Sequence, residues 1–438
     1  PAPPLTDLGH RQAQALAGHL AARPDRSALN PYAVRHDRGG YGLTHLYTSL
    51  MVRAIVTEHG GRTSHTAILA AQMGIPAVVQ YPGARAIPPG TIVAVDGDSG
   101  EVTIDPSPEY QKQLVGKRER RRAALAGSAG PGKTRDGHPV ALLANIGGVD
   151  DAVSAAAQDV EGVGLFRTEF VFLSRDSAPT LAEQTQIYTD VFEPFGSRRV
   201  TVRTLDAGAD KPLAFADLGP EENPALGKRG LRLQALRPEL LDTQLAALGA
   251  AARATAAEVK VMAPMVATPE EAAWFARRVR EHGLPSVGVM IEVPGAAILS
   301  RHVLAEVDFG SLGTNDLAQY TMAADRMEGQ LSDLLDPWQP AVLQVIGHAC
   351  DGAKLAGKPM GVCGEAGGDP LLALVLTGLG VASLSMAPSK VAIVRYALSL
   401  HTLAECHGMA TAALAQRSAQ DAHDAVCALA DPSLVELL

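Results

Sequence analysis

From residue 138 onward the chain carries eight apolar runs of strand length, each followed by a helical stretch or a long loop. The runs are Val140–Asn145, Gly162–Leu173, Val200–Leu205, Val259–Met265, Val287–Glu292, Phe309–Gly313, Gly361–Cys363 and Ser383–Met386. Typical of the stretches between them are Pro269–His282 and Pro340–Ala356. This alternation predicts an α/β protein whose C-terminal part is a (β/α)₈ TIM barrel. Chemistry in such barrels gathers at the C-terminal ends of the strands. Those ends carry Asn145, Arg167, Arg203, Asp206, Glu292, Asn315, Asp316, Cys363 and Glu365. Packing alone asks for one or two salt-bridged groups in such places, not for nine converging on one mouth.

The remaining chain is organised differently. Residues 1–53 hold one helix pattern, Leu8 to Ala22, and a loop rich in Pro, Gly, Asn and Asp. Residues 54–106 read as short strands (Ala54–Thr57, Ala77–Gln80, Thr91–Asp96, Glu101–Ile104) around one helix, about Ser64 to Met73. Pro108 to Leu125 is a polar linker helix, and 107–133 is the whole linker, leaving 134–438 for the barrel. Its KRERRR run has no aromatic partners, which nucleic-acid binding would require. The balance of 38 basic against 47 acidic residues, net −9, also argues against a nucleic-acid binder. The uncharged stretch Pro370 to Ser389 is long enough to cross a bilayer, yet its Gly, Ser and Pro residues fit a buried helix leading into a buried strand. Four scattered cysteines make neither a disulfide scaffold nor a CxxC site, so a cytoplasmic compartment is expected. The chain opens on Pro1 without a signal peptide, and is expected to be a processed or trimmed product.

Arg167 and Arg203 offer planar forks for phosphate or carboxylate, which Arg326, just past the sixth run, and Lys211, in the loop after the third, could join. Glu292 and Asp316 end adjacent strands, and two carboxylates with sites left for water and substrate suit Mg²⁺ better than zinc. Several cations and one hard metal imply a small, multiply anionic phosphate-containing substrate and phosphoryl transfer. Cys363 reads equally as a small buried hydrophobe and as a thiol placed to protonate a carbanion. Within Gly60-Gly61-Arg62-Thr63-Ser64-His65, the histidine stands in the first turn of an apolar helix. Near that N-terminus the neutral, nucleophilic imidazole is favoured, although a capping loop with an incidental histidine fits the spacing equally.

GGRTSHTAILAAQMGIPAVV resembles the phosphohistidine segment of enzymes that use phosphoenolpyruvate. GVGLFRTEFVFLSR, VRTLDAGADKPL, NPALGKRGLRL, GVMIEVPGAA, GTNDLAQYTMAADR and MGVCGEAGGDP are similar to the barrel of that family, above all of Enzyme I of the phosphotransferase system. The resemblance runs from about Ala54 to the C-terminus. It implies a partial α/β phosphohistidine (swivelling) domain ahead of the barrel. His65 would be the phosphorylated residue, and Cys363 the proton donor that turns enolate into pyruvate. Arg167, Arg203, Asn315, Asp316 and Arg326 would bind phosphoenolpyruvate, with Lys211 and Arg229 near the phosphate. Glu292 and Asp316 would hold Mg²⁺. The barrel would form a homodimer, and the carrier protein HPr would accept the phosphate.

The pattern of the subdomain that such enzymes use to receive HPr is not expected to fit into residues 1–53. Residues 1–53 instead faintly resemble a histidine phosphatase of the phosphoglycerate mutase type, in LTDLGHRQA and LYTSLMVRA, without its catalytic RHG triplet. Pyruvate phosphate dikinase is the less expected relative, because its ATP-grasp domain would not fit into these 438 residues beside the barrel. The alternative is a non-catalytic, dimeric, phosphoenolpyruvate-binding remnant or regulator that cannot phosphorylate HPr.

Overall fold

The structure, a computed structural model, describes residues 53–59, 70, 75–97, 100–172, 175–208, 213–216, 219–326 and 328–438. It divides into two units, Pro1–Gly116 and Lys117–Leu438. In the first, β1 (Ile55–Val56) pairs in parallel with β2 (Ala77–Val78), and β3 (Val93–Val95) pairs antiparallel with β4 (Val102–Ile104). All four are shorter than their apolar runs. β2 stops before Gln80, whose φ of 57° turns the chain out of the extended region. The expected Leu8–Ala22 helix, the phosphatase-like segment up to residue 52, and the Ser64–Met73 helix apart from Ala70 lie outside the described residues. The linker helix spans Pro108–Leu125 and buries none of its residues, as its polar surround dictates.

Eight parallel strands close into a barrel among the described residues. They are β5 (Ala141–Ile146), β6 (Gly162–Arg167), β7 (Arg199–Arg203), β8 (Glu258–Ala263), β9 (Ser286–Ile291), β10 (Phe309–Leu312), β11 (Met360–Val362) and β12 (Ser383–Met386). Each pairs with the next, and β12 returns to β5. Side-chain alternation separates two apolar regions. Val200, Val202, Val261, Val287, Val289 and Ile291 join the large core with the surrounding helices, whereas Leu165, Met262, Met290 and Cys363 form a small cluster of their own.

The run Gly162–Leu173 does not continue as one strand. β6 ends at Arg167, and Glu169–Phe172 turns into a short helix that buries Val171 and Phe172. Buried Glu169 is what the strand reading overlooked, because a carboxylate there needs a cation, and the turn delivers it to Arg203. Pro370–Gly378 is a helix buried from Leu371 onward, leading into β12. No helix among the described residues is long and apolar enough to cross a membrane.

Candidate active site at the barrel mouth

Arg203 ends β7, and buried carboxylates fix its guanidinium. Nη2 donates to Glu169 Oε1 at 2.6 Å, and Nη1 lies 3.3 Å from Asp206 Oδ2. Nε is buried without a hydrogen-bond partner. Burial opposes the charge, but Glu169, Asp206 and Glu292 outweigh it and hold Arg203 more firmly protonated than a free guanidinium.

The backbone behind Arg203 is held by buried amides and hydroxyls. Thr168 Oγ1 donates to the Arg203 carbonyl at 2.8 Å, and Gln244 Nε2 donates to Thr168 Oγ1 and to the Tyr188 hydroxyl. Gln244 Oε1 receives the Leu205 N–H, and Gln234 Nε2 donates to the Leu205 carbonyl. Glu169, Thr168, Gln234 and Gln244 were not singled out from the sequence. Their signal was a polar residue inside an otherwise apolar run or helix face, which must find a partner when buried.

Arg229 has a side chain with no exposure and is gripped on both sides. It meets Asp206 at 3.0 Å through Nε and Nη2, and Asp316 at 2.9 and 3.0 Å through Nη1 and Nη2. Its fork is thus committed to carboxylates. Asp316 and half-buried Asn315 lie in the first turn of the helix Thr314–Met322, one step beyond β10. Arg326 Nη1 stands 3.7 Å from Asp316 Oδ2. Arg167 ends β6 and meets exposed Glu365 at 3.2 Å. His65 and Lys211 lie outside the described residues.

Glu292 follows β9 and is completely buried. Its Oε1 accepts the Met265 N–H at 2.7 Å, while Oε2 has no hydrogen-bond partner. Met265 reaches it from a left-handed backbone at φ 59°, a conformation that costs about 1–3 kcal/mol and clusters at functional sites. A Cβ on Gly313 would stand 2.5 Å from Oε2, so glycine alone leaves the carboxylate its place. Burial, then Asp316 and Asp206, push the Glu292 carboxyl up, with Arg203 and Arg229 opposing. Four guanidiniums (Arg167, Arg203, Arg229, Arg326) face five carboxylates (Glu169, Asp206, Glu292, Asp316, Glu365) among the described residues. An orphaned carboxylate oxygen in that crowd fits a hard divalent cation completed by water and substrate. No group of three or more His, Cys, Asp or Glu among the described residues forms a metal cage by itself.

Residues 126–402 match the PEP-binding domain of the PEP-utilising enzymes, and residues 42–100 match the mobile domain of the same enzymes. The chain belongs to the phosphoenolpyruvate-utilising enzymes. Within them its relatives are transferases. A Streptomyces coelicolor phosphoenolpyruvate-protein phosphotransferase is 54% identical over 389 residues, which make up 88% of this chain and 70% of that one. Proteins of the same name from Geobacillus stearothermophilus and Bacillus subtilis are 42% and 41% identical, over 78% and 80% of this chain. The matched part is 61% and 64% of their own lengths. The mobile-domain match begins twelve residues before the Ala54 boundary expected from the sequence, and no comparison supports a phosphatase-like segment.

In this PEP-utilising barrel Cys363 follows β11. The residue is 1% exposed, its thiol donates to the Leu312 carbonyl at 3.5 Å, and Asn145 Nδ2 donates to the Cys363 carbonyl at 3.2 Å. Burial pushes the thiol up to about 11, aided by Glu292 and opposed by the Ser311 hydroxyl, Arg203 and Arg167. The thiol therefore remains a proton donor across the neutral range. The thiolate absorbance of Cys363, taken as wild type minus Cys363→Ser, is expected to appear only near pH 11. A free thiol ionises near ~8.5, so the unfolded chain loses this proton first. The stability contributed by Cys363 is thus intact below the free value and is lost as pH rises from there towards 11. A thiolate signal already present at the free value would contradict this environment.

Proposed function

We propose that the chain transfers the phosphoryl group of phosphoenolpyruvate to His65 and releases pyruvate, as the first step of a sugar phosphotransferase system. The observation that carries the reading is Glu292 Oε2, buried without a partner beside Arg203 and Asp316. Arg203 and Arg167 present forks for the substrate's phosphate and carboxylate, with Asn315, Arg326 and Lys211 completing the anion site. Arg229 acts one step back, by holding Asp206 and Asp316 in place. Held by Glu292 and Asp316, Mg²⁺ would supply the positive charge that a phosphoryl group in transit demands. Cys363 gives its proton to C3 of the departing enolate. HPr is the proposed acceptor from phospho-His65, the barrel the homodimer contact, and the cytoplasm the compartment.

The non-catalytic reading is not favoured. A remnant relieved of catalysis has no reason to retain an orphaned carboxylate, a strained Met265 and a buried thiol at one mouth. Incubation with phosphoenolpyruvate and Mg²⁺ is expected to give acid-labile phosphate on the protein and an equal amount of pyruvate, both lost in His65→Ala. Pyruvate without label, or label that survives His65→Ala, would overturn the proposal.

Mg²⁺ alone is expected to raise the unfolding midpoint of the wild type. A ligand at 100 times its Kd stabilises by about 2.7 kcal/mol. Glu292→Gln, which also relieves the crowding with Asp316 and Asp206, should be more stable than wild type without Mg²⁺ and gain nothing from it. Equal gains in both proteins would remove Glu292 from the metal site.

A further inference from the structure

The interiors of (β/α)₈ barrels are ordinarily filled by bulky branched side chains. At the N-terminal end of this one, away from the mouth, lies a cavity of ≈ 50 Å³. Alternation along β7 puts Arg199, Thr201 and Arg203 on one face, while Val200 and Val202 join the large core on the other. Arg203 ends the strand at the mouth, whereas Arg199 and Thr201 line the cavity. Lys260 of β8, Ser311 of β10, and Ser383 and Ser385 of β12 line it with them. Glycines clear the space for these side chains. A Cβ on Gly162 would stand 2.9 Å from Arg199 Cγ, and one on Gly361 would stand 2.5 Å from Ser383 Oγ. Thr201, Ser311 and Ser385 are buried, Arg199, Lys260 and Ser383 are half-buried, and exposed Pro359 marks the solvent side of the lining.

Each of the four guanidiniums at the mouth meets a carboxylate. Arg199 is different, because its Nη2 is buried without a hydrogen-bond partner. Burial pushes its pKa below the ordinary guanidinium value, and Glu161 and Glu258 offset this only in part. Both acids have other partners. Glu161 Oε1 accepts the N–H groups of Gly132 and Leu142, each at 2.9 Å. Glu258 lies opposite Arg199 in the pairing of β7 with β8, is largely exposed, and bridges Lys260 at 3.0 Å. A buried cationic donor costs free energy until an acceptor reaches it, and the acceptor it binds best is an anion. Volume narrows the choice of anion. A water needs roughly 10–15 Å³ of such space, so the cavity takes about four, the number of oxygens in a phosphate.

We propose that the N-terminal end of the barrel is a second anion site, which takes a free tetrahedral oxyanion such as inorganic phosphate. Arg199 is its main ligand, Lys260 adds charge at the rim, and the Thr201 and Ser383 hydroxyls donate from the wall. Met262, two residues on from Lys260 along β8, packs with Leu165 and Met290 between this site and the mouth. An anion bound here therefore does not compete with phosphoenolpyruvate.

The test is calorimetric titration of inorganic phosphate into His65→Ala, with and without excess phosphoenolpyruvate and Mg²⁺ to fill the mouth. One phosphate per chain is expected to bind in both conditions. Adding Arg199→Met should weaken that binding at least ~10-fold, the low end for losing a charge-assisted hydrogen bond. On its own, Arg199→Met should leave KM for phosphoenolpyruvate unchanged. Ser383→Leu, which fills the cavity near its rim and keeps the arginine, should weaken phosphate binding too, and serves if Arg199→Met does not fold. Phosphate binding that vanishes when the mouth is filled, or that is equal in His65→Ala and in both added variants, overturns the proposal. Glycerol 3-phosphate is expected not to displace the phosphate. Displacement would overturn the choice of a free oxyanion and assign the site to the phosphate end of a larger ester.

Discussion

Arg203→Met is expected to lower kcat/KM for phosphoenolpyruvate by about 10²–10³, the usual cost of one electrostatic group aimed at developing charge. Two losses combine. The fork that would face the phosphate disappears, and Glu169 and Asp206 are left in the barrel mouth without the cation they now share. Arg203→Lys distinguishes them. It returns a positive charge to both carboxylates but not the planar geometry that grips an oxyanion with two parallel bonds. Stability is therefore expected to recover in Arg203→Lys more than activity does. The check is single-turnover labelling by phosphoenolpyruvate beside urea unfolding of each variant. Activity that recovers in step with stability would give Arg203 a purely structural role.

Arg229→Met is expected to cost about 3–5 kcal/mol of folding free energy, the range for removing one partner of a buried ion pair. Neither the Arg229 nor the Asp206 side chain has any exposure, so no water can substitute for the missing charge. The unpaired carboxylates must then be protonated or expelled. Urea unfolding of Arg229→Met and of Arg229→Met/Asp206→Asn measures this. The double variant should regain part of the loss, because it removes one of the stranded charges. If it is the less stable of the two, the interaction between these residues is not what holds Arg229.

The barrel was legible from apolar runs alone, because a strand buried on both faces leaves an unmistakable pattern. β12 coincides with its run, Ser383–Met386, and the linker helix with Pro108–Leu125. Ends were less legible where a charged residue lies inside the run, as Glu169 does after β6. That arginines and carboxylates gather at the mouth could be read from the residues that end the runs. The pairing among them could not. That Arg229 faces two aspartates, while Glu292 keeps one oxygen unpartnered, depends on distances between residues far apart in the chain. Met265 was silent in sequence because its contribution is a backbone N–H turned by an unusual dihedral, which any side chain type conceals.

Gly313 and Glu292 share one volume. The space a side chain at 313 would fill is already occupied by the end of the Glu292 carboxylate. Drift at either position is therefore yoked to the other. Any larger residue at 313 must be accompanied by a shorter or displaced one at 292, and a redesign of the acid at 292 has to begin with the glycine across from it.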